Sequence, residues 1–264
     1  MKRRYALISV YDKKGIKDIC ETFLKFNINI ISTGTTAKHI TNLGYKCRSV
    51  TSFTKFKEIL DGRVKTLHPK LHASLLFDRE NNNHIDAFKN LKFPVIDFIV
   101  VNLYPFKKYI NSKNSKKCIE MIDIGGPALL RSSAKNYKSV TVISNINDYA
   151  NLINILEKNK GETTLNFRTK MAQKVYKTTA NYDTIIASWL NKKNKKLFKT
   201  NNRKTFNLRY GENPHQKASF RYSKYKKNIL DGVLQGKKFS YNNFLDADSA
   251  INLLNEFDEP TCVI

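Results

Sequence analysis

The chain has few cysteines and no long apolar run, and both shortages narrow the classes of protein that it can belong to. Its four cysteines form no CxxC pair and show no zinc-ligand spacing. A disulfide framework is not expected at this density, so we predict a reducing compartment, the cytoplasm. A membrane-spanning helix needs about 20 apolar residues, and no apolar stretch approaches this length. The first apolar segment is also too short for a secretory signal. We expect no membrane partner.

Acidic residues are also scarce, with 22 Asp and Glu against 47 Lys and Arg, which gives a formal net charge of +25. Such a charge attracts polyanions, so nucleic-acid binding is one interpretation. However, the lysines are spread along the chain together with abundant Asn and Ile, as a codon-biased genome would produce, and no nucleic-acid motif is present. We favour compositional bias and expect no specific nucleic-acid partner.

The spacing of apolar residues predicts an α/β domain in the first part of the chain. Short apolar runs, typical of buried parallel strands, alternate with segments whose apolar residues recur at helical spacing. This alternation favours a parallel sheet with flanking helices. The predicted strands are 5–10, 28–31, 46–50, 95–104 and 139–144. The predicted helices are one from residue 16, one from residue 37, and then 53–60, 128–134, 146–156 and 166–190.

A charged stretch without periodicity divides the chain. We place a domain at 1–190, a linker at 191–205 and an incomplete second domain at 206–264. In this last part, 206–216 is rich in turn residues, 245–257 has helical spacing and the apolar segment 260–264 predicts a strand. A chain that stops inside a strand indicates a fragment of a longer protein.

Polar residues lie where the predicted strands end. Ser9, Thr33, Asn102 and Tyr104 are the examples, and ligands of open parallel sheets bind beyond the carboxyl ends of the strands. The segment 32–36 is rich in hydroxyls and precedes a helix, so free backbone N–H groups and side chains there can hold a phosphate. The same residue types also cap helices without any ligand, and spacing alone leaves both interpretations open.

The segment 61–72 concentrates basic side chains that suit proton transfer and anion binding. These are Arg63, Lys65, His68, Lys70 and His72. His68 and His72 have the i, i+4 spacing of metal ligands on a helix. No Glu follows the first His and no third ligand is evident, so we expect no metal here.

Further along the chain, two adjacent glycines lie between an Asp and a Lys that are both candidate site residues. Gly125 and Gly126 permit close backbone approach. Asp123 and Lys135 each have a structural interpretation, as a turn or capping carboxylate and as a cation at the C-terminus of a helix.

Taken together, these segments resemble the bifunctional AICAR transformylase/IMP cyclohydrolase (PurH) family. Six stretches occur in the family's order, and together they span the chain. They are LISVYDK at 7–13, STGTTAK at 32–38, GRVKTLHP at 62–69, NLYPF at 102–106, IDIGG at 122–126 with AKN at 134–136, and LRYGENPHQ at 208–216.

The resemblance implies a methylglyoxal-synthase-like (MGS-like) domain that acts as an IMP cyclohydrolase. This enzyme closes the ring of 5-formamido-imidazole-4-carboxamide ribonucleotide (FAICAR) to inosine monophosphate (IMP) and water, without metal or cofactor. It further implies that residues after the linker begin a cytidine-deaminase-like transformylase domain, which formylates AICAR from 10-formyltetrahydrofolate. The catalytic Lys-His pair of that domain is expected beyond residue 264. Transformylase activity and a homodimer are therefore expected of a full-length chain.

The resemblance also implies residue roles. Lys65 and Tyr104 would hold and protonate the formyl oxygen, and Asp123 with Lys135 would manage the amide proton. The 5′-phosphate would be held by Ser9, Lys13, Thr33, Gly34, Thr35 and Thr36. The base and ribose would be placed by Arg63, Thr66, Asn102, Gly125 and Gly126. The nucleotide site of the second domain would include Arg209 and Tyr210.

Two positions depart from the family pattern. Tyr11 stands where some relatives have a small hydroxyl residue, so we leave it out of the phosphate site. Thr35 stands where some have Gly, which limits how closely a phosphate can approach. A regulatory module that senses nucleotides without catalysis is the alternative function, but it has no use for the four proposed catalytic residues together.

Overall fold

The computed structural model describes residues 4–91, 93–110, 112, 114–191, 203–223 and 229–264. The described residues divide into two compact units, one within Met1–Lys192 and one within Lys193–Ile264. Most of the predicted linker, residues 192–202, lies outside the described residues. In the second unit the first strand begins at Arg203.

The first unit is built on a five-stranded parallel sheet in the order β3-β2-β1-β4-β5. The strands are β1 (Arg4–Val10), β2 (Ile28–Ser32), β3 (Cys47–Ser49), β4 (Ile96–Asn102) and β5 (Thr141–Ile143). The prediction of a parallel sheet with flanking helices is confirmed. The order of the strands reverses between β1 and β4, and such a switch point opens a crevice at the carboxyl ends of the strands.

The helices of the first unit cover both faces of this sheet, as the connections between parallel strands require. They are α1 (Ile16–Lys25), α2 (Gly34–Asn42), α3 (Val50–Thr54), α4 (Pro69–Leu76), α5 (Asn82–Leu91), α6 (Phe106–Tyr109), α7 (Ser115–Glu120), α8 (Gly125–Lys135), α9 (Tyr149–Lys158) and α10 (Leu165–Leu190). A single 3₁₀ turn, Ile146–Asp148, precedes α9.

The main core lies where these helices pack on the sheet. Helix α1 buries Ile16, Ile19, Cys20 and Phe23, the i, i+3, i+4, i+7 spacing of an amphipathic helix. Cys20 is thus a core residue, and burial raises the pKa of its thiol to about 12. A second, smaller core forms around Phe106, Cys118 and Tyr182.

Two local predictions in the first unit were wrong, and two of its helices were not predicted. The helix expected at 53–60 is α3, which Ser49 caps and which ends where Lys55 takes a left-handed conformation with φ of 64°. Helix α2 begins at Gly34, not at residue 37, because the hydroxyl-rich segment forms its first turn. The helices that were not predicted are α5, in a polar stretch rich in Asn, and α4, which Pro69 starts inside the segment 61–72.

The second unit contains an antiparallel strand pair, β6 (Arg203–Asn207) and β7 (Ser219–Ser223), a 3₁₀ turn at Ile229–Gly232 and helix α11 (Tyr241–Leu254). Ser240 and Asn243 form a capping box, so α11 starts four residues before the predicted 245. Phe244 packs on Phe220, with ring centroids 4.4 Å apart.

The strand predicted at 260–264 is absent, because these residues have no strand partner among the described residues. Cys262, which lies in this segment, is exposed. Across the parts of the chain that the structure describes, we find no helix that is long and apolar enough to cross a membrane.

Candidate functional site

A cavity of about 990 Å³ opens at the carboxyl ends of β1, β2 and β4, at the switch point of the sheet. It brings together residues from five separate segments of the chain. The predicted site residues that line it are Ser9, Lys13, Thr33, Gly34, Thr35, Thr36, Arg63, Lys65, Thr66, Asn102, Tyr104, Asp123, Gly125 and Gly126. Lys135 is the one predicted residue of the first unit that does not line it.

One end of the cavity is formed by the first turn of α2. Thr33 occupies the N-cap position, yet its side chain accepts no hydrogen bond from the helix, so the first N–H groups of α2 have no side-chain cap. The Thr33 hydroxyl instead lies 3.0 Å from the hydroxyl of Ser9 at the end of β1. Free N–H groups, two hydroxyls and the positive end of a helix dipole together favour an anion at this end.

Thr36 contributes to this end of the cavity indirectly. Its side chain is buried, and its hydroxyl donates to the Val10 carbonyl at 3.0 Å and lies 3.3 Å from the Val10 N–H. The hydroxyl therefore attaches α2 to the end of β1. The first turn of α2 is fixed in place by this contact.

Asn102, which ends β4, also holds the backbone in place. Its side-chain oxygen accepts from the N–H groups of Tyr11 and Asp12, at 2.6 and 3.0 Å, and its amide donates to the Asp12 carbonyl at 2.8 Å. The resemblance to the family assigned Asn102 to the base and ribose. In the structure its oxygen and one amide hydrogen secure the turn that carries Tyr11 and Lys13.

The other end of the cavity contains the carboxyl group of Asp123. Burial raises the pKa of this carboxyl group, while the Gly126 N–H, the Lys65 ammonium and the Tyr104 N–H act to lower it. The Gly126 N–H donates to Asp123 Oδ1 at 2.8 Å, so the structural role of a turn carboxylate, one of the two that the sequence suggested, is present. The same carboxyl group faces the cavity, and a raised pKa makes a carboxylate a stronger base.

Gly125 and Gly126 of α8 are required because neighbouring side chains lie too close to leave room for a β-carbon. A β-carbon on Gly126 would stand 2.5 Å from Asp123 Oδ2 and 2.8 Å from a methyl carbon of Leu103. One on Gly125 would stand 2.3 Å from the hydroxyl oxygen of Thr66. All three distances are shorter than van der Waals contact, so any larger residue here would displace the side chains of the site.

Lys65 and Tyr104 also line the cavity. Both are partly buried, and among the described residues no carboxylate lies within 4.0 Å of the Lys65 ammonium. Lys65 interacts electrostatically with Asp123. Its donors are therefore available to a ligand.

Arg63, on the same segment as Lys65, is paired with a carboxylate. Its guanidinium binds Glu120 at the end of α7, and this partner raises the pKa of Arg63. Both side chains are more than half exposed, so the ion pair closes the rim of the cavity rather than its floor.

Lys135 lies apart from this group. It is the last residue of α8 and is exposed, and ten residues of helix place it about 15 Å along the axis from Gly125. The structure therefore does not bring Lys135 to Asp123. Its position matches the structural interpretation, a cation at the C-terminus of a helix.

Three residues that contribute to the site were not identified from the sequence. Tyr11 lines the cavity, with its ring in edge contact with Tyr104 at 5.5 Å between centroids. Glu120 pairs with Arg63, and Tyr182 binds the backbone around Asp123. Tyr11 was excluded only by comparison with relatives. The other two give no local signal because their partners lie far away in sequence.

The two histidines of segment 61–72 have structural partners. The Nδ1 atom of His68 accepts from the Lys70 N–H and caps α4, and His72 Nδ1 lies 2.9 Å from the hydroxyl of Ser132. Burial lowers the pKa of His72. Among the described residues there is no group of three or more His, Cys, Asp or Glu side chains that could hold a metal ion.

In the second unit, Arg209 and Tyr210 are in contact with each other. The guanidinium lies 4.9 Å from the centre of the Tyr210 ring and donates to its hydroxyl at 3.2 Å. The Arg209 N–H donates to the Phe239 carbonyl, and the Tyr210 carbonyl accepts from the Tyr241 N–H, which fixes this pair beside the start of α11.

The sheet, its switch-point cavity and the free N-terminus of α2 define an MGS-like α/β domain, and the MGS-like domain model matches residues 15–128. A solved structure described as the crystal structure of ForH aligns with a TM-score of 0.67 and 25% identity, over 72% of this chain and 97% of its own. The family model described as AICARFT/IMPCHase bienzyme matches residues 133–264. The chain belongs to this family.

Curated relatives in this family are described as bifunctional purine biosynthesis protein PurH. The protein of Caldicellulosiruptor bescii is 45% identical over 98% of this chain and 52% of its own length. Those of Acetivibrio thermocellus and Persephonella marina are each 44% identical, over 98% and 99% of this chain and 52% and 53% of their own. The chain thus spans about half the length of these relatives.

Proposed function

We propose that this chain is an IMP cyclohydrolase, which closes the ring of FAICAR to IMP with loss of water. The observation that carries the proposal is a single cavity with an anion-binding end at Ser9 and α2 and a buried carboxyl group, Asp123, near Lys65 and Tyr104. Its volume of about 990 Å³ accommodates a ribonucleotide. The family of the chain supports the same reaction.

The reaction needs positioning and proton transfer more than strong electrophilic chemistry. The carboxamide nitrogen attacks the formyl carbon, a carbon–nitrogen bond forms, and the formyl oxygen becomes an oxyanion. One proton passes from the attacking nitrogen to this oxygen. A second proton leaves the formamide nitrogen as the hydroxyl departs as water and the ring double bond forms. An amide nitrogen is a poor nucleophile, so a base and a fixed geometry supply the rate.

The residues in the cavity suit these steps. Asp123, whose pKa burial raises, accepts the proton of the attacking amide. Lys65 and Tyr104 donate to the developing oxyanion. None of these steps uses a metal or an organic cofactor.

The remaining residues hold the substrate in place. Ser9, Lys13, Thr33 and the first turn of α2 hold the 5′-phosphate. Thr36 and Asn102 shape this site through the backbone, as their hydrogen bonds indicate. Arg63 and the glycines of α8 border the base and ribose.

Turnover of FAICAR, followed by the absorbance of IMP, tests the proposal. We expect Lys65→Ala and Asp123→Asn to lower kcat at least about 100-fold, the usual contribution of a catalytic acid or base. Lys57→Ala, an exposed lysine outside the cavity, is the matched control and should keep the wild-type rate. The dyad role that the resemblance implies for Lys135 stays a proposal, and wild-type turnover by Lys135→Ala would contradict it.

The alternative function is a regulatory module that binds nucleotides without catalysis. Tight IMP binding by folded protein that never turns over FAICAR would favour this alternative and overturn the cyclohydrolase. The family also suggests that a longer chain formylates AICAR with 10-formyltetrahydrofolate as co-substrate and forms a homodimer. Arg209 and Tyr210 would contribute to the nucleotide site of that domain.

A further inference from the structure

The turn that carries Asp123 depends on a side chain from a distant helix. Residues between α7 and α8 form this turn, and Met121 and Ile122 donate backbone hydrogen bonds back into the end of α7. The N–H of Asp123 and the carbonyl of Met121 do not take part in these hydrogen bonds. Both residues are partly buried, so leaving either group without a partner would destabilise the turn.

Tyr182 of α10 supplies both partners. Its hydroxyl accepts from the Asp123 N–H at 2.9 Å and donates to the Met121 carbonyl at 3.0 Å. One oxygen atom therefore bridges the two ends of the turn. These contacts join residues 59 and 61 positions apart in sequence.

The surroundings of Tyr182 keep this hydroxyl in one position. The side chain is only 8% exposed and packs in the smaller core, in edge contact with the ring of Phe106. Phe106 also contacts the ring of Trp189, which lies on α10 like Tyr182. Burial raises the pKa of the Tyr182 phenol to about 12, so it keeps its proton and remains a donor.

Asp123 is consequently held at two points. Tyr182 fixes its backbone from α10, and the Gly126 N–H fixes its carboxyl group from α8. The carboxyl oxygen that faces the cavity can then take few positions. A shift of about 1 Å in a catalytic group can cost up to about 100-fold in rate.

We propose that Tyr182 is a positioning residue, which sets the Asp123 carboxyl group for proton transfer without touching the substrate. The inference rests on the proposed cyclohydrolase function. It assigns a role in the reaction to α10, an element that lies outside the cavity and that no motif marks.

Tyr182→Phe tests this inference, because it removes the hydroxyl and keeps the ring in the core. Tyr176→Phe is the matched control: Tyr176 lies six residues earlier on α10, and its ring contacts Arg131 at 5.5 Å rather than the Asp123 turn. Two quantities are measured in both variants. They are kcat and KM for FAICAR, and the amide hydrogen-exchange rate of Asp123 by NMR.

We expect Tyr182→Phe to lower kcat about tenfold with KM changed less than twofold, and to speed exchange at Asp123 about tenfold. Tyr176→Phe should change neither quantity. A general loss of structure would raise KM and speed exchange throughout α8, so these patterns are distinguishable. Wild-type kcat in Tyr182→Phe would overturn the proposal, as would unchanged exchange at Asp123. Absence of turnover in the wild-type chain would instead overturn the cyclohydrolase, while the exchange measurement still tests the contact.

Discussion

Asp123 combines two requirements that conflict at the scale of a single residue. Its carboxyl group is buried enough for the pKa to rise, which suits a base, but a buried charge lowers the stability of the fold. The Gly126 N–H and the nearby Lys65 offset part of this cost. Sites that combine function with a stability cost of this kind are common in enzymes.

The first prediction follows from the raised pKa of Asp123. Between the pKa of Asp in the unfolded chain, about 3.9, and the raised pKa of the folded state, the folded protein binds more protons. Its stability therefore falls as pH rises through this window. Asp123→Asn cannot ionise, so we expect it to be more stable than the wild type near pH 7, with the difference vanishing below about pH 3. Urea denaturation of both proteins from pH 3 to 8 measures this difference.

The control is Asp246→Asn, which changes an exposed carboxylate on α11. It removes a carboxylate from the second unit and leaves the surroundings of Asp123 unchanged. A wild type that gains stability over Asp123→Asn as pH rises would contradict the prediction.

The second prediction concerns Gly126. In Gly126→Ala the new methyl group meets Asp123 Oδ2 and Leu103, so the carboxyl group must move. We expect kcat for FAICAR to fall at least about tenfold and the free energy of unfolding to fall by about 1–3 kcal/mol. Gly44→Ala separates the two effects: Gly44 has φ of 88° and open surroundings, so alanine there costs about 1–2 kcal/mol through backbone strain alone. Equal kcat losses in the two variants would argue against a local effect at Asp123.

At the scale of elements, the first turn of α2 explains why the phosphate end lies where it does. The helix starts directly after β2, at the carboxyl edge of the sheet, and its N-cap side chain is turned to Ser9 instead of the helix. An uncapped helix N-terminus is less stable by about 0.5–2 kcal/mol than a capped one. A bound phosphate would supply the missing acceptors.

Our third prediction is that Thr33→Val weakens the binding of IMP about tenfold, because a hydrogen bond to a charged group is worth about 1.5–3 kcal/mol. Valine keeps the β-branched shape of this buried position. The affinity for inosine, which lacks the phosphate, should not change. Thr41→Val is the control, since the Thr41 hydroxyl is exposed near the other end of α2. Isothermal titration calorimetry measures both ligands, and an equal loss for IMP and inosine would contradict the phosphate assignment.

For the molecule as a whole, the proposed cyclohydrolase site is contained in the first unit. Both core clusters, and every residue that lines the cavity, lie within Met1–Lys192. The sheet has its own helices on both faces, so this unit meets the conditions for a domain that folds alone.

We therefore predict that a chain of residues 1–191 folds and retains turnover of FAICAR within about threefold of the full 264 residues. Circular dichroism during thermal unfolding and the IMP absorbance assay check this. A cooperative melt without turnover would show that the second unit contributes to the cyclohydrolase site. Loss of the cooperative melt would show that the first unit depends on the second for stability.

The sequence alone was sufficient to predict the parallel sheet. Buried strands such as β1 and β4 must be continuously apolar, and helices such as α1 must be amphipathic. It also located most of the cavity lining, because polar residues at strand ends meet at one edge of a parallel sheet. Helix boundaries depended on caps and left-handed residues such as Ser49 and Lys55, which weak local signals do not reveal. Only the tertiary structure separated Lys135 from Asp123 and brought Tyr182 to it, because a rigid helix fixes the first distance and long-range packing decides the second.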